Sequence, residues 1–374
     1  MADNMDTKKK RVCMFFNDLA LYRKAIYKML DEEYDCEWYI EDVDTGVKEF
    51  DASELKHVRR LPVRQYGRFY IVKGLLPLLR RDFDVYFVLG ATGNISLFIF
   101  CLFKRLFYSQ KRIYFWTHGF YGKESKLELL LWKRPLCKLP DGLFPYSEYA
   151  KNLMVQDGFS SNKIYPIHNS LAYDEQLALR KALAPSDIYI THFGNNNPIL
   201  VMIGRLNLRK HLDLLFYAVN LLKQKGESYN IVLIGDGEDK LALEKLVEEK
   251  GLEKETWFFG ACYDENKNAE LLFNADMCVV PGDIGLTAIH SLMFGVPAIT
   301  HNCFKYQGPE FEAIISGKTG YFYEYGSVDS LANAISTWFK EHKDREIVRK
   351  DCYNEIDSYW NPYFQMDVIR KNLI

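Results

Sequence analysis

The chain contains few of the features that mark exported, disulfide-stabilised or zinc-bound proteins. Its eight cysteines are scattered over 374 residues without a Cys-x-x-Cys pair, and several lie in apolar runs. This pattern favours buried reduced thiols over a disulfide framework or a zinc site. The N-terminal sequence MADNMDTKKKRV has no apolar region, so we predict a cytoplasmic protein rather than an exported one.

The sequence also lacks an apolar run long enough for a membrane-spanning helix. Its longest apolar stretch, residues 85–103, is interrupted by Gly90, Gly93 and Asn94. The part after Asn94 is about a dozen residues long, whereas a helix needs about 20 to cross a bilayer. We therefore predict a buried strand followed by a buried helix.

Positive charge is concentrated between residues 56 and 112. The basic residues there are opposed only by Asp82 and Asp84, and aromatic and leucine side chains lie among them; they are Lys56, Arg59, Arg60, Arg64, Arg68, Lys73, Arg80, Arg81, Lys104, Arg105, Lys111 and Arg112. This composition indicates a surface that docks on anionic lipid at the inner face of the cell membrane, and a solvated charged face is the alternative. No nucleic-acid-binding motif accompanies the charge, so nucleic acid is not predicted as a partner.

The order of apolar segments predicts an α/β protein with two domains. Short strand-like runs alternate with helical ones, for example a helix at 69–81 before the strand at 85–89, as in parallel sheets with crossover helices. The length and the 48% hydrophobic content are sufficient for two cores. We predict two doubly wound, Rossmann-like domains that face a central cleft, where such folds bind ligands. The predicted segments are residues 1–190, a Gly/Asn/Pro-rich linker at 191–198, residues 199–345, and 346–374, helices that pack back toward the first domain.

The most informative segment is VMIGRLNLRKHLDLL, residues 201–215. An apolar strand ends at Gly204, Arg205 follows at once, and Lys210 precedes an amphipathic helix. Two cations at a strand-to-helix turn suit a diphosphate, because Arg grips phosphate oxygens with two N–H groups and Lys adds a compact charge. On these two residues alone, ordinary surface charges would be the simpler interpretation.

Further segments after this one follow strand ends in the second half, and together they carry a family resemblance. They are IVLIGDGEDKLALEKL (231–246), FFGACYDENKNAELLFNADMCVVPG (258–282), GDIGLTAIHSLMFGVPAIT (282–300) and PEFEAIISGKTGYFY (309–323). Their order and spacing resemble the donor-binding domain of retaining glycosyltransferases of the GT-B fold, family 4, over about residues 199–345. The segment at 146–170 also resembles the stretch that precedes this family's interdomain linker.

The resemblance implies a role for each matching residue. Arg205 and Lys210, with Gly204, correspond to the cations that hold the nucleotide diphosphate and act in catalysis. His118, in Trp-Thr-His-Gly, corresponds to a first-domain histidine near the donor sugar, although a structural histidine is the alternative. The remaining donor-binding positions implied by the family are Gly235, Gly237, Gly260, Asp283, Gly285, Leu286, Thr287, His290 and Glu312, with Glu310 as a second acidic candidate.

The sequence departs from the family at its Glu-x7-Glu pair, which holds the donor sugar and the ribose. Gly282 and His290 stand at these two positions, and Asp283 is the nearest acid to the first. A histidine can hydrogen-bond a ribose hydroxyl, but without the strength of a carboxylate. Three interpretations remain open: altered donor contacts, which we favour, a histidine satisfied in the core, or weakened catalysis.

The resemblance implies transfer of a hexose or related sugar from a nucleotide diphosphate sugar to an acceptor hydroxyl, with retention at the anomeric carbon. The nucleotide sugar is a co-substrate, and no cofactor or metal is expected. We expect the acceptor to be a glycan, carried on a lipid, in polysaccharide assembly. The alternatives are a non-catalytic GT-B protein that binds a nucleotide sugar or supports a partner enzyme, and, less favoured, a nucleotide-sugar epimerase.

Overall fold

A computed structural model describes residues 9–373 of the chain. The chain divides into two compact units, which we call the first unit (Met1–Ala172 with Pro362–Ile374) and the second unit (Tyr173–Asn361). The prediction of a non-exported protein rested largely on the N-terminal residues 1–8, which lie outside the described residues.

The first unit contains a sheet of seven strands in the described part of the chain. Its strands are β1 (Arg11–Phe16), β2 (Asp35–Asp42), β3 (Val58–Tyr66), β4 (Phe69–Val72), β5 (Val85–Leu89), β6 (Arg112–Thr117) and β7 (Gly142–Pro145). They lie in the order β4-β3-β2-β1-β5-β6-β7. Every neighbouring pair is parallel except β3 and β4.

Helices cover both faces of this sheet. Those before residue 173 are α1 (Lys24–Glu33), α2 (Ile95–Phe107), α3 (Lys126–Glu128), a π-helical turn (Leu129–Lys133), α4 (Arg134–Cys137) and α5 (Glu148–Gln156). Short 3₁₀ turns lie at Leu21–Arg23, Ala52–Glu54, Leu76–Arg80 and Ser161–Lys163. The two faces of the sheet carry separate clusters of buried side chains, one containing Phe16, Trp38 and Trp116 and the other Phe15, Phe100 and Phe115.

The predicted helix at 69–81 is wrong. Residues 69–72 form β4, which pairs antiparallel with β3, and only a 3₁₀ turn follows. Gly74, at a φ of +86°, and Pro77 interrupt the segment. Gly is a poor residue and Pro a worse one for a helix interior, so the apolar residues here cannot continue as one helix.

The prediction for residues 85–103 is correct for the strand and only half correct for the helix. Residues 85–88 of β5 are fully buried, and the inner side of α2 buries Leu97, Phe100 and Cys101. The outer side of α2 is exposed, with Leu106 72% and Phe107 66% accessible. Among the helices of residues 9–373, none has both the length and the apolar character needed to cross a membrane.

The second unit has a sheet in which every pair is parallel. Its strands are β8 (Ile199–Ile203), β9 (Asn230–Ile234), β10 (Thr256–Gly260), β11 (Met277–Val279), β12 (Ala298–His301) and β13 (Gly320–Tyr323), in the order β10-β9-β8-β11-β12-β13. Its helices are α6 (Tyr173–Ala182), α7 (Ile188–Phe193), α8 (Leu212–Gln224), α9 (Lys240–Lys250), α10 (Glu265–Asn274), α11 (Thr287–Met293), α12 (Val328–Glu341) and α13 (Arg345–Tyr359). Short 3₁₀ turns lie at Leu208–Lys210, Phe304–Tyr306 and Pro309–Ala313. The last helix, α14 (Pro362–Asn372), returns to the first unit, where Met366 and Ile369 enter the core.

The boundaries between the two units, after Ala172 and after Asn361, differ from those predicted from the sequence. Helices α6 and α7 belong to the second unit, where Gln176 Nε2 donates to Glu265 Oε1 (2.8 Å) and Tyr189 Oη donates to the carbonyl of Leu271 (2.6 Å). Gly194 ends α7 in a left-handed conformation, so the glycine of the predicted linker is a helix C-cap inside a unit. Helix α13 also stays with the second unit, because Arg349 Nη2 donates to the carbonyl of Phe273 (3.0 Å).

The cysteines behave as predicted. All eight are free thiols, and all except Cys262 and Cys303 are buried. Burial raises the pKa of the Cys137 thiol to about 12 and that of Cys278 likewise. These thiols therefore remain protonated, apolar parts of the two cores.

Candidate functional site

The candidate site of the second unit is built where parallel strands end next to one another. Strands β9, β8 and β11 are neighbours, and their carboxyl ends lead into Gly235, Gly204 and Val280. The N–H of Gly204 donates to the carbonyl of Ile234, and the N–H of Gly235 donates to that of Gly260, both at 2.9 Å. The structure therefore brings together the predicted glycines at 204, 235 and 260.

Two of these turns pack so closely that only glycine fits. A Cβ atom at Gly235 would overlap the carbonyl oxygen of Gly204, and one at Gly237 would overlap that of Leu206. Gly235 also has a φ of +155°, which L side chains rarely adopt. The turn after β9 is thereby fixed against the turn that carries Arg205, as close-packed glycine turns of nucleotide-binding sheets require.

Lys210 is held at the centre of the site by backbone oxygens. It ends the 3₁₀ turn before α8, and its Nζ donates to the carbonyls of Asp283 (2.7 Å) and Ile284 (3.1 Å). Burial lowers the pKa of Lys210, while the carboxylates of Asp283 and Glu310 act in the opposite direction. A partly desolvated ammonium attracts an anion more strongly than one in water, because the local dielectric is lower.

Arg205, in contrast to Lys210, has an exposed side chain. It is 73% exposed, and its Nε donates to Glu238 Oε2 at 3.3 Å. An exposed ion pair of this kind contributes little to stability. The guanidinium can therefore leave Glu238 to grip a phosphate at small cost.

Gly282, at the position of the family's first glutamate, is required by packing. Its N–H donates to the carbonyl of Lys210 (2.7 Å), and the N–H of Asp283 donates to that of Arg209 (2.9 Å). A Cβ atom at 282 would overlap the carbonyl oxygen of Arg209. A glutamate cannot occupy this position while the two turns stay joined.

The nearest acid, Asp283, uses its carboxylate to hold neighbouring loops. One oxygen accepts the N–H of Gly308 (2.8 Å), and the other pairs with the guanidinium of Arg209. The side chain is only 14% accessible. Asp283 thus positions the loops of the site, and its contact with the donor stays a prediction.

The start of α11 presents backbone rather than side-chain groups. Thr287 Oγ1 donates to the carbonyl of Ile203 (2.8 Å) and ties the helix to β8. Gly285, at a φ of +53°, lies beside Asp283 and allows the tight turn into Leu286. The N–H groups at 285–287 lie at and just before the start of this helix, where backbone donors lack partners inside the helix, and they stay the predicted donors to a ligand.

His290 is paired with an acid that the sequence did not single out. Its Nε2 lies 2.8 Å from Oε1 of Glu265, on α10, and Glu265 also accepts from Gln176. Burial alone would raise the pKa of Glu265, but the hydrogen bonds from His290 and Gln176 hold it below its usual value. A carboxylate is therefore present next to the position where the family has its second glutamate, supplied from a residue 25 positions earlier in the chain.

Glu310 is the glutamate that the structure brings to the site. It is buried, its carboxylate lies beside Gly308, and its charge acts on Lys210. Glu312, the residue favoured from the sequence, follows two positions later on the same 3₁₀ turn and is half-buried. Within residues 9–373 no three acidic, histidine or cysteine side chains are grouped so that they could hold a metal ion.

His118 lies in the first unit, after β6. Its ring lies 4.8 Å from that of Tyr146 and 5.7 Å from that of Tyr121. The residue is exposed to solvent, but its ring packs against these neighbours and loses part of its hydration. This loss of hydration, together with the smaller effects of the nearby cations of Arg23 and Lys133, lowers the pKa of His118 to about 4.

We expect the imidazole of His118 to stay neutral between pH 8 and pH 5. Its folded pKa lies below the value of about 6.5 of an unfolded histidine, so protons favour the unfolded chain, and the stability contributed by His118 is complete above about pH 6.5 and is lost as the pH falls toward 4. The ring nitrogen and carbon shifts of His118, assigned with His118→Gln, report this titration by NMR. A midpoint at or above pH 6 would contradict it.

The second half of the chain matches a known protein family. Residues 187–355 match the family model described as "Glycosyl transferases group 1". A sulfoquinovosyl transferase, SQD2 of Arabidopsis thaliana, is 23% identical over 222 residues, which cover 58% of this chain and 41% of that protein. The putative glycosyltransferase EpsD of Bacillus subtilis (strain 168) is 29% identical over 161 residues, 42% of this chain and 40% of EpsD. The matches span about half the length of these curated relatives, or less.

Solved structures share the fold over nearly the whole chain. Anabaena Alr3699/HepE in complex with UDP superposes with a TM-score of 0.73 at 16% identity, covering 97% of this chain and 99% of that one. The lipopolysaccharide outer core galactosyltransferase WaaB superposes with a TM-score of 0.72 at 13% identity and the same coverage. Two Rossmann-like α/β units of GT-B type, as predicted, are thereby confirmed.

Proposed function

Because residues 187–355 form a domain of the glycosyl transferases group 1 family within a GT-B fold, we propose that the protein transfers a sugar from a nucleotide diphosphate sugar to an acceptor hydroxyl. The observation that carries this proposal is the placement of Lys210 at the joined strand ends, bound to the carbonyls of Asp283 and Ile284. The proposal is also supported by HepE, which shares the fold and binds UDP and UDP-glucose.

In the proposed reaction the diphosphate leaves as an anion. The bond from the anomeric carbon to the diphosphate oxygen breaks, and the bond to the acceptor oxygen forms on the same face, so that configuration is retained. The ammonium of Lys210, the guanidinium of Arg205 and the N–H groups at 285–287 stabilise the negative charge that grows on the leaving group. The leaving phosphate takes the proton of the acceptor hydroxyl, and no metal is required.

The acceptor in this proposal is a growing glycan carried on a lipid. WaaB is a lipopolysaccharide outer core galactosyltransferase, and another relative, 24% identical over 209 residues, is an uncharacterised protein in the cps region of Klebsiella pneumoniae. Both descriptions fit glycan assembly. An acceptor on a lipid would require the first unit to reach the inner face of the cell membrane.

The first unit has a surface suited to that contact, which we call the apolar surface. Its members are large apolar side chains that are at least one-third exposed: Ile99, Leu102, Phe103, Leu106, Phe107, Leu127, Leu130 and Leu131. Residues 99, 102, 103 and 106 share one side of α2, the side opposite the core. Trp132 stacks on Phe98 of α2 at 5.4 Å and links the two segments, while Arg105 and Lys126 are exposed within them. Apolar side chains flanked by cations suit a bilayer of anionic lipid.

We expect Leu106→Glu with Leu130→Glu to weaken binding to anionic vesicles at least tenfold, because each buried leucine contributes about 1.5–3 kcal/mol and each glutamate is repelled by the lipid. Co-sedimentation with vesicles at several salt concentrations measures it. Leu241→Glu is the matched control, since Leu241 is 79% exposed in the second unit. Binding that ignores salt and anionic lipid, or that survives both substitutions, would contradict the membrane contact.

A second candidate function is a non-catalytic protein that binds a nucleotide sugar. The engaged carboxylate of Asp283 and the histidine at 290 favour it, because the family's two glutamates are absent from their usual positions. Incubating the protein with a panel of nucleotide sugars, with and without glycan acceptors, separates the candidates. Release of nucleotide that depends on acceptor supports transfer, binding without release supports the second candidate, and a changed donor sugar without acceptor would indicate an epimerase.

A further inference from the structure

The first unit contains one buried cation that lacks an acidic partner in the described part of the chain. Arg23 is only 7% exposed, and its guanidinium lies over the rings of Tyr22 (5.0 Å), Tyr146 (5.1 Å) and Trp116 (5.7 Å). The other buried cations of this unit are paired, Lys104 with Asp141 at 2.7 Å and Lys133 with Glu124. Burying a charge without a counter-charge is expensive, so Arg23 is exceptional.

Two buried nitrogen atoms in this cluster also lack a partner. Among the described residues, Nε of Arg23 and Nε1 of Trp116 are buried without a hydrogen-bond partner. Buried polar atoms are nearly always hydrogen-bonded, so such a group calls for a missing partner. The arginine and tryptophan nitrogens are donors only, and the missing partner must therefore accept hydrogen bonds. The nearby acid, Asp18, accepts from Asn17 instead.

The location of this cluster is the carboxyl edge of the first sheet. Trp116 lies near the end of β6 and Tyr146 directly follows β7, and the ring of Trp116 lies 5.7 Å from that of Phe16, the last residue of β1. His118 is two residues beyond Trp116 and is exposed, and its ring packs on that of Tyr146, over which the guanidinium of Arg23 also lies. Open α/β sheets bind ligands at this edge.

We propose that Arg23, Trp116 and His118 form a binding site for an oxyanion carried by the acceptor, either a phosphate or a sugar carboxylate. A guanidinium presents paired N–H groups that match both anions, and the aromatic walls keep water away and strengthen the attraction. A neutral imidazole adds one N–H donor. The assignment of the anion to an acceptor rests on the function proposed above. The inference that the site binds an oxyanion is independent of that function.

The test is a titration with inorganic phosphate and, separately, with acetate, followed by NMR of the Trp116 indole N–H, which is assigned with Trp116→Phe. We expect a saturable shift in the wild type, with at least tenfold weaker binding in Arg23→Gln, because a hydrogen bond to a charged group is worth about a factor of ten or more. Arg23→Lys, which keeps the charge and loses the paired N–H groups, is expected to fall between them. If phosphate binds more tightly than acetate, the anionic group of the acceptor is a phosphate. If acetate binds more tightly, that group is a carboxylate.

Two controls separate this site from the one in the second unit. Arg205→Ala removes a cation of the second unit and should leave the Trp116 shift unchanged. Arg112→Gln removes an exposed arginine of the first unit that pairs with Asp141, and it should also leave the shift unchanged. No saturable shift in the wild type, equal affinity in Arg23→Gln, or loss of the shift in Arg205→Ala would each overturn the proposal. Nucleotide-sugar turnover, measured separately, tests the function proposed above without bearing on this result.

Discussion

Arg205→Ala is expected to transfer sugar about 10²–10³ times more slowly than the wild type, the usual cost of removing one preorganised donor to a developing anion. The guanidinium is 73% exposed and pairs with Glu238 at the surface, so its loss removes nothing that the fold needs. The thermal midpoint should therefore stay unchanged while turnover falls. Nucleotide release in the presence of acceptor, together with thermal unfolding, measures both.

Lys210→Ala should lose turnover to a similar extent but also lose stability. Its Nζ holds the carbonyls of Asp283 and Ile284, and a carbonyl left without its donor in a buried place costs about 1–3 kcal/mol. Lys245→Ala is the control for both variants, because Lys245 is an exposed cation of the second unit, on α9. Near-normal turnover in Arg205→Ala would remove the basis for a phosphate-holding role at this turn.

Features that depend on neighbouring residues could be predicted from the sequence. The strand end at Gly204, its cation Arg205 and the glycines at 235 and 237 are local patterns, and the structure joins them as parallel strands must. The domain boundary was wrong because the glycine at 194, which caps α7, has the same composition signal as a linker. The exposure of α2 was missed because apolar content does not tell which side of a helix a sheet covers.

Partners distant in the chain could not be predicted. The pairing of His290 with Glu265 joins residues from two helices, and nothing at position 265 distinguishes that glutamate from other solvated acids. The sequence could not decide between Glu310 and Glu312, because a 3₁₀ turn of three residues per turn sends side chains two positions apart in different directions. Arg23 was missed for the same reason, since its neighbours Trp116 and Tyr146 follow it by some hundred residues.

The second large effect is expected at Gly282, where a lost acid and a glycine required by packing predict opposite results for the same substitution. If an acid has simply been lost, Gly282→Glu should restore activity. The structure predicts the reverse, because a Cβ atom at 282 would overlap the carbonyl oxygen of Arg209. The turns at 207–211 and 281–283 would have to separate, breaking the bonds from Gly282 N–H to Lys210 and from Asp283 N–H to Arg209.

We therefore expect both Gly282→Glu and Gly282→Ala to lower the thermal midpoint and to weaken binding of a nucleoside diphosphate at least tenfold. Forcing extra atoms into a packed site typically costs about 1–3 kcal/mol, and here the displaced loop carries Lys210. Gly226→Ala is the control, because a Cβ atom there meets open space, although its φ of +82° adds a modest strain of its own. Calorimetric titration and thermal unfolding give the two quantities. A gain of turnover in Gly282→Glu would show that the site lacks an acid, whereas a loss shared with Gly282→Ala shows that the glycine itself holds the cation in place.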